Sequence, residues 1–109
     1  MTRRGLGEFE QQVMLTILRA GGEAYSVPLV LELEKLSGRE VSQAAVYIVL
    51  RRLEEKGLVS SRMEDASETG TGRTRRYFRL EAEGLARLRE SRQMMRRFWD
   101  GIEDVLEEV

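Results

Sequence analysis

Apolar side chains return at intervals of three and four near the start of the chain: Phe9, Val13 and Ile17 on one line, Met14 and Leu18 beside them. That spacing marks one face of an amphipathic helix from about Glu8 to Ala20, and Gly21-Gly22 stops it. A second helix is expected to open at Ser26 as N-cap, with Pro28 in the first turn where its missing N–H costs nothing. Leu29, Leu33 and Leu36 form its buried stripe, and Gly38 ends it. A third is expected from the cap Ser42 to about Lys56, with Val46, Val49, Leu50 and Leu53 turned inward and Gly57 just past the end. After Gly57 the helical period is lost. Leu58 to Met63 and Arg75 to Leu80 read as strands, the second alternating Arg76, Phe78, Leu80 against Arg75, Tyr77, Arg79. Glu64 to Thr74, with Gly70 and Gly72, reads as a long hairpin tip, and Ala82 to Val109 as one long helix.

The expected fold is therefore mainly α with a small β-hairpin. Residues 1–81 form a winged helix-turn-helix, and residues 82–109 a long C-terminal helix. The composition, 109 residues with 41% hydrophobic and 34% charged side chains, is that of a single compact domain. No run approaches the roughly 20 apolar residues of a membrane span. The basic start Arg3-Arg4 leads into Glu8 and Glu10 rather than an apolar signal core, so a cytoplasmic protein is expected. Cysteine and histidine are both absent, which removes disulfides, thiolate nucleophiles, zinc fingers and imidazole bases together. The carboxylates are scattered, and adjacent pairs such as Glu54-Glu55 point apart from a helix. Neither an enzyme, a metal site nor a cofactor is expected.

The net charge of −1 conceals a division along the chain. Five of the 19 acids (Asp100, Glu103, Asp104, Glu107, Glu108) lie in the last ten residues, while residues 1–97 hold all 18 bases against 14 acids. Every base but Lys35 and Lys56 is arginine. Arginine grips phosphate as a planar fork, although arginine-favouring codons in a GC-rich genome would give the same count.

The third helix carries the functional signal. With its apolar face inward, the opposite face presents Gln43, Tyr47 and Arg51 at spacings of four, flanked by Ala44, Ile48 and Arg52. A helix entering a DNA major groove needs little bulk in its first turns, so that the base edges can be reached. Ala44 permits that approach, Gln43 is a candidate for an adenine edge, and Arg51 and Arg52 for phosphates. The free N–H groups after Ser42 favour a backbone phosphate. A plain solvated helix face with a partly buried Tyr47 fits the same residues. In the hairpin, Arg73, Arg75 and Arg76 crowd beside a glycine-containing loop, as suits a narrow minor groove of negative potential; Glu64, Asp65 and Glu68 fit an ordinary charged hairpin instead.

The run Gln43-Ala44-Ala45-Val46-Tyr47-Ile48-Val49-Leu50-Arg51-Arg52-Leu53-Glu54-Glu55-Lys56-Gly57-Leu58-Val59 resembles the recognition-helix signature of PadR-like transcriptional regulators. Gly72-Arg73-Thr74-Arg75-Arg76-Tyr77-Phe78-Arg79-Leu80 resembles their wing, and Leu6-Gly7-Glu8-Phe9-Glu10-Gln11 their opening. The resemblance spans most of residues 6–84. It implies a dimeric bacterial repressor on a palindromic operator, with Tyr47 against the DNA backbone and the wing arginines beside it. It also implies dimerisation through the last helix and the first. Three positions depart from the family pattern: Ala44-Ala45 for Gly or a small polar residue, Ile48-Val49 for a frequently polar pair, and Glu81 where a Thr commonly caps the last helix. Ile48 either meets a thymine methyl or packs inward, and Glu81 caps less well by on the order of 1 kcal/mol.

Along the last helix, Leu88, Met95, Trp99, Ile102, Leu106 and Val109 form one stripe, with Met94, Phe98 and Val105 beside it. A stripe this wide suits a second copy, and Leu88, Met95, Phe98, Trp99, Ile102, Val105 and Leu106 are the expected dimer residues. Arginines fill its beginning and acids its end, so an antiparallel or crossed pairing sets each acidic end near the partner's arginines; pairs such as Arg96 with Asp100 are the intrachain alternative. The resemblance also implies a small aromatic effector near the dimer interface, for which Met94, Met95, Phe98 and Trp99 are candidates, or else ordinary interface core. The rival reading is a winged-helix protein–protein interaction module that ignores DNA, relying on Ile48, Tyr47 and the acidic end.

Overall fold

The computed structural model describes residues 6–64 and 74–107. Helix α1 (Glu8–Arg19) is followed by a two-residue strand β1 (Glu23–Ala24), then α2 (Ser26–Ser37), α3 (Gln43–Glu55), strands β2 (Val59–Met63) and β3 (Arg76–Leu80), and α4 (Ala82–Trp99). The sheet is antiparallel with β3 in the middle, in the order β1-β3-β2. Pairing runs from Val59 opposite Leu80 to Met63 opposite Arg76, while Ala24 lies opposite Phe78. Strand β1 is too short to show a period in sequence, and it turns the expected hairpin into a three-stranded sheet.

One core joins the helices to the sheet. Val13, Met14 and Ile17 of α1, Leu29 and Leu33 of α2, and Val46, Leu50 and Leu53 of α3 meet Phe78, which is fully buried. The stripe foreseen in α3 is thus the buried one, whereas Leu18 of the α1 stripe and Leu36 of the α2 stripe are exposed. Helix α3 is fixed at both ends as its sequence dictates. The Ser42 hydroxyl accepts from the Ala45 N–H (3.2 Å), and past the other end Gly57 N–H and Leu58 N–H bond back to the carbonyls of Glu54 and Leu53. Helix α1 is tied to that same end of α3, because the Lys56 ammonium donates to Glu10 (2.7 Å). Burial raises the pKa of the Glu10 carboxyl, but Lys56 and the Gly7 N–H together outweigh it and hold the group below its ordinary value.

Two boundaries differ from expectation. Tyr25, in an extended conformation, is the N-cap of α2, and Ser26 is already helical; its hydroxyl accepts instead from the Gln43 amide (3.4 Å). The last helix ends at Trp99 rather than continuing to 109. Gly101 has φ +82°, which stops the helix, and a short 3-10 turn follows at Glu103–Val105. The electrostatics favour this stop. Ending at Trp99 leaves Arg96 and Arg97 in the last turn, where cations suit the helix dipole, and takes the acids out of the helix. Ile102, Val105 and Leu106 therefore follow the α4 stripe in sequence but not on its helical face. Glu81, expected to cap α4 weakly, makes no side-chain cap at all; it accepts from the Ser60 hydroxyl.

Candidate nucleic-acid interface

Three elements converge on one side of the molecule. The start of α2, the outer face of α3 and the entry to β3 enclose an open groove of about 400 Å³ lined by Tyr25, Ser26, Val27, Tyr47, Thr74, Arg75 and Arg76. The N-termini of α2 and α3 carry no acid in their first turns, whereas α1 begins with Glu8 and Glu10 and α4 with Glu83. The two helix starts beside the groove thus keep their favourable position for an anion unoccupied by the chain's own carboxylates.

The outer face of α3 is arranged as the periodicity indicated. Ser42, Gln43, Ala44, Tyr47, Ile48, Arg51 and Arg52 are all exposed. Ile48, at 53% exposure, faces solvent and is not packed inward. Tyr47 combines both roles open to it: its ring stands edge-on to the buried Phe78 (centroids 5.9 Å, 83°), yet the residue remains 41% exposed. A ring held against the core offers its hydroxyl end from a fixed position.

The wing arginines are held by rings and by side-chain hydrogen bonds. Arg75 lies over the Tyr25 ring at 4.6 Å, and Arg62 over Tyr77 at 5.0 Å. Tyr25 and Tyr77 meet edge-to-face at 5.6 Å. Arg62 also forks onto Glu23 (2.9 and 3.2 Å), tying β2 to β1. That hydrogen bonding lowers the Glu23 pKa, overcomes the opposing effect of burial, and is helped by the charges of Arg62 and Arg79. Arg76 donates to the Ser61 hydroxyl at 2.9 Å. Arg73 lies outside the described residues, as does most of the expected hairpin tip. Tyr25 and Val27 at the start of α2 and Thr74 before β3 escaped the sequence reading because they belong to separate segments that only the tertiary fold brings together.

A second surface shares none of these residues. Between α1 and α4 runs a groove of about 470 Å³, with Leu15, Leu18, Leu85, Leu88 and Met95 on its apolar walls and Arg89 and Arg92 at its rim. Leu15 and Leu18 are 43% and 44% exposed, and Phe98, at 70%, extends the patch along α4 with Met94, Met95 and Trp99. Ile102, Val105 and Leu106 are exposed beyond it. Of the expected dimer residues, Leu88 alone packs partly on the chain's own core. At the helix end the Asp100 N–H bonds the Arg96 carbonyl (2.9 Å), and among the described residues no ion pair joins their side chains.

Helix-turn-helix, wing and the arginine-lined groove between them define a winged-helix fold. The family model for the PadR-like transcriptional regulators matches residues 14–90, and the chain belongs to that family, one of regulators and not of enzymes. A PadR-family transcriptional regulator from Eggerthella lenta is 31% identical over 92% of this chain and 87% of its own, with a TM-score of 0.68. A PadR-like transcription factor from Bacteroides fragilis is 22% identical over 89% and 88%, with a TM-score of 0.71. The same fold recurs at 13% identity in F93 from STIV, a winged-helix DNA-binding protein, over 90% of this chain and 98% of its own (TM-score 0.66). No curated protein matches the chain. Among the described residues no helix is long and apolar enough to cross a membrane.

Proposed function

We propose that this chain represses transcription as a homodimer bound to a palindromic operator. The observation that carries the reading is the groove in which Tyr47 of α3, the acid-free start of α2 and Arg75 and Arg76 of β3 face the same space. Helix α3 enters the major groove with Ser42, Gln43 and Ala44 foremost; Tyr47, Arg51 and Arg52 meet the backbone, and Arg73, Arg75 and Arg76 follow the adjacent minor groove. Twofold symmetry sets two such helices about 34 Å apart, in successive major grooves. The repressing sense rests on the family resemblance, a bound dimer excluding polymerase from the promoter.

The test is a retention assay on the region upstream of the chain's own gene at two salt concentrations. Arg75→Ala and Arg76→Ala are each expected to weaken binding and to reduce the slope of log affinity against log salt by about 0.9. Arg51→Ala is expected to do the same. A variant with the affinity and slope of the parent removes that residue from the interface.

The α1–α4 groove is the dimer surface in this reading. Its apolar walls and arginine rim complement a partner whose C-terminal segment carries Ile102, Val105 and Leu106 among Asp100, Glu103, Asp104 and Glu107. A planar aromatic effector would lie against Met94, Met95, Phe98 and Trp99 at this surface. Titration with planar aromatics is expected to change Trp99 emission saturably; emission that follows only simple inner-filter loss removes the effector.

A further inference from the structure

The two arginines flanking the DNA face are joined through the protein by a relay that the helix periodicity does not reveal. Glu54, on α3, is ion-paired through one carboxylate oxygen with Arg51 Nη1 (3.1 Å) and accepts from the Ser61 hydroxyl through the other. The oxygen of that hydroxyl in turn accepts from Arg76 Nη1 at 2.9 Å. Ser61 lies opposite Phe78 in the β2–β3 pairing, so Arg76, two residues before Phe78, is its diagonal neighbour on the face that packs against α3. The sequence Arg51–Glu54–Ser61–Arg76 thus connects recognition helix, first wing strand and second wing strand.

As contributions to folding these bonds are small. Arg51 and Glu54 form an i,i+3 pair with side chains 47% and 28% exposed, and such pairs stabilise a helix only slightly. Their geometric effect is larger. A guanidinium has five N–H donors; pairing Arg51 with the Glu54 charge, or giving one Arg76 donor to Ser61, leaves the others for phosphate with the side chain already directed. An arginine held in this way has less rotamer freedom to lose when DNA arrives. The relay also couples the angle of the wing to the recognition helix, and hence the minor-groove contacts to the major-groove register.

Building on the regulator reading above, we infer that Glu54 and Ser61 are positioning residues that set sequence discrimination, by fixing Arg51 and Arg76 relative to each other. The carboxylate is needed for its two acceptor oxygens, although its charge opposes DNA. Charge and positioning therefore have opposite signatures. Glu54→Gln removes a negative charge and weakens the relay; Ser61→Ala breaks the relay with no change of charge.

The experiment measures affinity of the full-length protein for a fragment from upstream of its own gene and for poly(dI-dC), at two salt concentrations. Ser61→Ala is expected to lower the ratio of the two affinities about tenfold while the poly(dI-dC) affinity and the salt slope hold. Ser61→Thr, which keeps the hydroxyl, restores the ratio. Glu54→Gln is expected to tighten poly(dI-dC) binding and still lower the ratio. If Ser61→Ala keeps the parental ratio, or if Glu54→Gln tightens both DNAs equally, the relay positions nothing and the inference is overturned. If the parent protein itself shows no preference for the fragment, the operator reading fails first, and this inference with it. A thermal midpoint within a few degrees of the parent shows that each variant is folded.

Discussion

Replacing Gly84 with alanine is expected to lower the thermal midpoint by about 10–20 °C. Gly84 lies in the first turns of α4, buried where that helix crosses the start of the wing. A Cβ there would collide with the Leu58 carbonyl oxygen, lie 2.8 Å from Leu80 Cδ1 and 3.1 Å from Met14 Cε. The methionine can move. The carbonyl cannot, because it belongs to the turn closing α3 and already accepts the Glu81 N–H at 3.0 Å. Overpacking of this kind costs about 1–3 kcal/mol, and for a domain near 100 residues each kcal/mol moves the midpoint by roughly 4–8 °C. The sign is informative, since Gly→Ala in a helix interior otherwise gains about 1 kcal/mol. A midpoint equal to or above the parent's means that α4 does not approach Leu58 this closely. The contact also bears on the proposed function: Leu58 lies in the turn that closes α3, so the approach at Gly84 sets the direction of α4, and with it that of the proposed dimer surface, relative to α3.

What the sequence revealed, and what it did not, divides along the range of the interactions. Helices α1 and α3 were legible because each buries a single stripe, and the stops at Gly21-Gly22 and Gly57 are local. The exposed face of α3 followed from the same period, with Gln43, Tyr47 and Arg51 outward as expected. The end of α4 was misplaced because Ile102 and Val105 prolong an apolar rhythm through Gly101 and into a 3-10 turn. Periodicity counts residues and does not register a change of helix type. Strand β1 escaped because two residues carry no period; it exists through its pairing with β3. The relay through Ser61 escaped for a related reason: neither Glu54 nor Ser61 is unusual in its own segment, and their meeting depends on the packing of β2 against α3.

A double variant, Met95→Lys with Phe98→Lys, is expected to halve the mass in solution to the single-chain 12.6 kDa and to weaken DNA binding about 100-fold or more. Both side chains are largely exposed in the single chain, 48% and 70%, so neither is needed for its core. Lysine is also a good helix former, and α4 should persist. At a twofold interface the same four charges would have to be desolvated together, beside Arg92, Arg96 and Arg97. The DNA result separates assembly from electrostatics. Two added charges per chain raise the attraction to any duplex, so a protein that bound DNA as a monomer would bind the fragment more tightly after the change. A protein that must place two α3 helices in successive grooves loses the tethering that makes the second half-site nearly intramolecular, and binds more weakly despite its greater charge. Sedimentation and retention assays on the same preparation give both numbers. A dimer that survives at micromolar concentration removes α4 from the interface, and a monomer that holds the fragment as tightly as the parent removes the paired half-sites.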